Sequence, residues 1–257
     1  MAPHCNHMIR TKILSIIIAF TFSVIALQTF AQVPDNARQL ITATAPSWDS
    51  HRAVLRCWER SGPNAPWQPA VANNSGWPVL LGRKGMAWGR GVFTPTRPDI
   101  PWKVENDGKA PAGIFELGRI YGEQPQLPQG SAWPYLQIGR WDAWVDNPKL
   151  REYNQHVRVN PNNVPPWFES QRMRLGDSAY KWLVEIRHNS NPIAAGYGSA
   201  IFFHVRRGPD RPSSGCTTME VGNLERMIRW LRVDKQPYYV LLPQSEYDKL
   251  RQSWRLP

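Results

Sequence analysis

Cysteine is scarce in this chain. Three occur among 257 residues, at positions 5, 57 and 216. Neither Cys57 nor Cys216 belongs to a CxxC pair or a Cys/His cluster, which argues against a structural zinc site of ordinary spacing. Acidic residues are also in short supply, 20 against 31 lysines and arginines, for a formal net charge of +11. That charge comes without an arginine-rich tract or a nucleic-acid-binding module, so nucleic acid is not an expected partner. Only one long apolar run exists, Ile13 to Phe30. No internal repeat and no interdomain linker divides the remainder, and the length suits one domain with extensions.

The apolar run has the features of an export signal. Arg10 and Lys12 precede it, and Thr29-Phe30-Ala31 offers small residues at the two positions a signal peptidase reads. Residues 1–31 are therefore expected to be a signal peptide cleaved before Gln32. The same stretch is long enough to serve as an uncleaved anchor, which would be the only membrane contact. Either way the rest is expected outside the cytoplasm, in the periplasm or cell envelope. Without residues 1–31 the chain keeps 29 basic and 20 acidic residues. Such a surface suits anionic lipid or an anionic wall polymer. Cys5 leaves with the signal, and two cysteines in an exported protein are able to form one disulfide.

What is abundant points to short elements. There are 24 prolines and 18 glycines, which favour turns and short strands over long helices. Residues 32–47 read as a tether. Strand patterns follow at 52–59, 67–71, 77–81 and 109–117, separated by turns such as Ser61-Gly62-Pro63-Asn64. In 180–188, alternation places Trp182, Val184, Ile186 and His188 on one face. Residues 199–205 are apolar on both faces, as a buried central strand would be. Val221, Leu224, Ile228 and Leu231 recur at helical spacing. Residues 238–242 read as a last strand, and 244–257 as a polar tail. The expected fold is mainly β, a sandwich or barrel with a few short helices, one directly after Cys216. The thirteen tryptophans are expected to pack the core.

Chemistry concentrates in Ser199 to Met227. An apolar run ends in His204. A basic loop with Arg206, Arg207 and Arg211 follows, then Ser213-Ser214-Gly215-Cys216. Thr217 and Glu220 match a capping box, which would set Cys216 at a helix N-terminus and favour its thiolate. The loop arginines would act in the same direction. Gly215 allows a sharp turn whose amides can face an oxyanion. His204 is the candidate base. Cys57 has no activating pattern and reads as a small buried hydrophobe.

This segment resembles the active-site region of the L,D-transpeptidase catalytic domain, the YkuD family. That pattern is a strand ending in His, a variable loop, then Ser/Thr-His-Gly-Cys. Here His204 matches the histidine and Ser213-x-Gly215-Cys216 the end, with Ser214 in place of the second histidine. The short loop with Gly208-Pro209, and Gly-Cys-Thr, resemble a variant branch. Lys109 to Phe115 resembles the family's Pro-x-Gly-x-Phe hairpin. His188-Asn189, Asp146-Asn147-Pro148 and Tyr153-Asn154 also resemble that branch. The resemblance spans about residues 48–243 and implies an L,D-transpeptidase-type β fold there. It implies a cysteine enzyme acting on peptidoglycan stem peptides through a thioester on Cys216, without metal or organic cofactor. His204 would activate the thiol, oriented by a backbone carbonyl such as that of Val205. Ser214, His188 and the arginines at 206, 207 and 211 are expected to contact substrate. Hydrolysis of the same thioester, or a non-catalytic envelope-binding role, are the alternatives. Papain-like peptidases place Cys before His, and sortases set the two much farther apart.

Overall fold

The computed structural model describes Met1 and residues 32–71, 75–92 and 99–257. Apart from Met1, the expected signal or anchor at 1–31 lies outside the described residues. Thirteen strands follow one another among the described residues. They are β1 (Gln39–Ala45), β2 (Arg52–Glu59), β3 (Gln68–Pro69), β4 (Trp77–Leu80) and β5 (Met86–Trp88), then the long β6 (Ala110–Gly122). β7 (Tyr135–Gln137), β8 (Asp142–Trp144) and β9 (His156–Arg158) come next. β10 (Leu183–Ile186), β11 (Phe202–Val205), β12 (Thr217–Met219) and β13 (Tyr238–Pro243) complete the set. Three short helices are α1 (Phe168–Gln171), α2 (Val221–Trp230) and α3 (Gln244–Leu250).

The main sheet runs β1, β13, β6, β10, β11, β12, β4, β2, and β2 pairs back onto β1. It therefore closes on itself like a barrel, which leaves few unpaired edges. The fold is mainly β, as the turn-rich composition implies. Within this closed ring two pairings are parallel, β1 with β13 and β11 with β12; β5 and β7 add parallel pairings to β6 outside it. The β11–β12 pairing sets the site.

Residues 39–45 are no tether. Leu40, Ile41 and Ala43 are fully buried. β1 lies antiparallel to β2, with Leu40 opposite Trp58, and parallel to β13, with Leu40 opposite Tyr238. Such a closing strand is buried on both faces and lacks the alternation that marks an exposed one. Residues 244–257 are no loose tail either. They form α3 and then bury Trp254, whose carbonyl accepts from the Val33 amide at 3.1 Å.

The expected helix does not begin at Cys216. Thr217–Met219 form β12 instead, with Phe203 opposite Thr217 and Val205 opposite Met219. The β-branched Thr217-Thr218 pair suits a strand. α2 starts only at Val221, and its N-cap, Glu220, makes no side-chain capping bond. The predicted apolar stripe does hold: Leu224, Ile228 and Leu231 are fully buried. Trp182, Val184, Ile186 and His188 are likewise all buried, as the alternation requires.

Candidate active site

The parallel β11–β12 pairing brings His204 and Cys216 together. Side chains alternate along a strand, and register partners share a face. Phe203 is buried in the core against Tyr239, ring centroids 4.6 Å apart. Its partner Thr217 reaches the Tyr239 hydroxyl at 2.9 Å, also on the core side. His204 and Cys216, each one residue away, therefore turn to the opposite face. There both line a cavity of about 210 Å³. Trp144, Tyr180 and Phe202 form its aromatic walls.

The imidazole of His204 is buried, and its Nδ1 lies 2.8 Å from the Val205 carbonyl oxygen. A carbonyl only accepts, so Nδ1 carries the proton and Nε2 keeps its lone pair. Burial pushes the pKa down to about 4, against the pull of the Val205 hydrogen bond. The ring is neutral at pH 7, with a basic nitrogen available to the cavity.

Cys216 does not have the lowered pKa that a helix start would give it. Burial pushes its thiol up to about 11. A hydrogen bond from the Phe202 backbone and the charges of Lys103 and Arg207 oppose that shift without cancelling it. The thiol donates to the Ala200 carbonyl at 3.4 Å. The free protein thus holds a neutral thiol and a neutral imidazole.

Gly215 has its amide engaged: N–H donates to Ser213 Oγ at 3.0 Å, and that hydroxyl donates to the Cys216 carbonyl at 2.6 Å. This small loop shapes the approach to the thiol, and the Gly215 amide is not free for an oxyanion as expected. A Cβ at position 215 would sit 3.0 Å from the Lys109 carbonyl, which explains the glycine. Ser214 lines the cavity and accepts from Arg83 Nη1 at 2.9 Å.

The loop arginines separate. Arg206 pairs with Glu220 and is not part of the cavity lining. Arg211 is exposed and also outside it. Arg207 does line the cavity, but Asp177 already holds it through Nε and Nη2, the latter at 2.6 Å. Asp177 also caps the turn Ser178–Lys181, accepting from the Ala179 amide at 3.0 Å. That turn presents Tyr180 to the cavity. Tyr180 was expected on a strand; the Asp177-Ser178 start was the available helix-cap signal.

His188 is not at this cavity. It is buried, its Nε2 donates to the Tyr197 carbonyl at 2.8 Å, and its Nδ1 accepts from the Arg90 amide at 3.2 Å. It is a satisfied core histidine. Cys57 is buried in the main core, and both cysteines are free thiols. A larger cavity, about 560 Å³, lies against Arg90, Arg187 and Asn189. It contains neither thiol nor free imidazole, so size does not mark the chemistry.

Residues 70–240 match the family model described as L,D-transpeptidase catalytic domain, YkuD. Comparison with curated proteins and with solved structures finds no match.

Proposed function

The chain belongs to the L,D-transpeptidase catalytic-domain family, and from that premise we propose that it is a cysteine-dependent L,D-transpeptidase acting on peptidoglycan stem peptides. The observation that carries this reading is one cavity lined by a thiol and by a histidine whose Nε2 is unprotonated.

The chemistry follows from the resting state. With both groups neutral, the Sγ proton passes to His204 Nε2 as sulfur attacks, rather than beforehand. The attacked carbon belongs to the amide between an L-centre and a D-centre. Its C–N bond breaks, the imidazolium returns the proton to the departing amine, and a thioester remains on Cys216. The side-chain amine of a neighbouring stem then attacks that thioester. The new C–N bond forms, the C–S bond breaks and the thiol is restored. Arg207 and Lys103 favour negative charge on sulfur during the attack. The protein is exported, and acts in the periplasm or cell envelope, a reading supported by Arg10, Lys12 and the apolar run that follows.

Mass spectrometry tests the cycle. Incubation with a tetrapeptide stem should add the acyl mass to the peptide containing Cys216, and Cys216→Ser should show no thioester. With an acceptor amine, cross-linked stems should appear. Products shortened by water alone would make the protein an L,D-carboxypeptidase. No adduct on Cys216 under any condition would remove the enzyme reading.

A further inference from the structure

Two asparagines that the active-site pair does not use converge behind Cys216. Ala200, whose carbonyl accepts from the thiol at 3.4 Å, has φ of 55°. That left-handed conformation is unfavourable for an L-residue with a Cβ, and it persists only where surrounding structure enforces it. The enforcement is Asn154. Its Oδ1 accepts from the Ala200 amide at 3.0 Å and from the Trp144 indole at 3.3 Å. Its Nδ2 donates to the carbonyls of His188 and Asn189, at 3.0 and 2.9 Å. Asn154 is buried and uses both donor hydrogens and its acceptor oxygen.

The rest of the segment before β11 is held in the same way. Asn189 Nδ2 donates to the carbonyls of Ala194 and Gly198, at 2.8 and 3.0 Å. Ser199 Oγ donates to Glu105 at 2.7 Å, and the Tyr153 hydroxyl bonds to the same carboxylate. The pairs Tyr153-Asn154 and His188-Asn189 therefore meet in space, on either side of the backbone that touches the thiol.

We propose that Asn154 is a positioning residue of the active site. It clamps Ala200 in the left-handed conformation, so that the Ala200 carbonyl faces Cys216 and holds the thiol in place, protonated, until the base removes its proton. Asn189 supports the clamp by fixing the turn that leads into it. The inference rests on the reading of Cys216 as the reacting thiol, but its test needs no peptidoglycan substrate.

The test is the alkylation rate of Cys216 by iodoacetamide, in a Cys57→Ala background and with the modified residue identified by mass. Asn154→Ala releases the carbonyl and removes the acceptor that favours the protonated thiol, so alkylation at pH 8 should accelerate about threefold or more. Glycine takes the left-handed conformation without a clamp. Ala200→Gly alone should therefore leave the rate near that of the parent, and Asn154→Ala/Ala200→Gly should bring it back towards the parent. General loosening would not be reversed by that second change. An unchanged rate in Asn154→Ala, or no recovery in the double variant, overturns the clamp. If Asn154→Ala does not fold, Ala200→Gly alone decides by thermal unfolding. Its midpoint should hold or rise, and a clear fall would show that Ala200 is not held under strain. A parent protein whose Cys216 resists alkylation at every pH would instead count against the thiol as nucleophile.

Discussion

Among the described residues two histidines are buried, His204 and His188, and the difference between them shows which ring keeps a nitrogen open to chemistry. Both are neutral because burial lowers their pKa values, to about 4 and about 3. Both donate one N–H to a backbone carbonyl at 2.8 Å. The contrast is the second nitrogen. In His188 it accepts from the Arg90 amide. In His204 it is left to a cavity that also holds Cys216. Burial sets the protonation state in both; the free nitrogen alone sets the role. The two thiols repeat the pattern. Burial raises the pKa of Cys57 as well as that of Cys216. Cys57 lines only a small pocket of about 20 Å³ without a histidine, whereas Cys216 shares its cavity with His204.

The contrast is broken most severely at Cys216, the proposed nucleophile. Cys216→Ala should lower acyl-enzyme turnover by roughly 10³-fold or more, measured with a stem tetrapeptide. Next comes His204, the proposed base. His204→Gln should lower turnover by roughly 10²- to 10⁴-fold while the thermal midpoint changes far less. His188→Gln should do the opposite. Leaving the Arg90 amide or the Tyr197 carbonyl unpaired should cost about 1–3 kcal/mol of stability, with turnover retained by the folded fraction. If His188→Gln abolished turnover in a stable protein, the distinction between the two rings would fall.

A pH titration sharpens the comparison further. Both histidines have folded-state pKa values below the unfolded value of about 6.5. The unfolded chain therefore binds protons first as pH falls. Their stabilising contribution is fully present above about pH 6.5 and is lost as pH drops towards 4 and 3. Chemical denaturation at a series of pH values should show that decline, and His188→Gln should flatten part of it. The thiol has the reverse signature. Alkylation of Cys216 should keep rising through pH 8–10, towards its raised pKa of about 11, instead of levelling near neutrality. The smallest effect belongs to the inert thiol: Cys57→Ala should cost about 1 kcal/mol of stability and leave turnover unchanged.

Much of the site was legible along the chain because its parts lie close together there. His204, the short loop and Ser213 to Cys216 occupy thirteen consecutive positions, and a strand ending in His beside a glycine turn before Cys is a local pattern. A backbone carbonyl such as that of Val205 as the orienter of His204 came only from the family resemblance, and the Val205 carbonyl does lie 2.8 Å from Nδ1. The errors came from contacts that no local pattern encodes. Capping-box spacing at Thr217 and Glu220 lost to the ladder that Thr217–Met219 form with β11. Arg206 turns to Glu220, 14 residues away and outside the cavity, while Arg207 lines the cavity in the grip of Asp177, 30 residues away. His188 shared the inward face of its strand as expected, but which cavity, if any, that face meets depends on the sheet's closure.

By itself, then, the sequence determined the mainly β architecture, through closely spaced turns and alternating apolar positions, and singled out Cys216 and His204 as the candidate nucleophile and base, through their local setting. The tertiary structure decided three things that burial and long-range pairing control. It made residues 39–45 a closing strand, because β2 and β13 supply hydrogen bonds on both sides. It raised the pKa of Cys216 instead of lowering it, because removal from water outweighs the nearby cations. It also brought Asn154 and Asn189, from distant loops, onto the backbone behind the thiol, because only the assembled barrel places residues 154, 189 and 200 within hydrogen-bonding distance.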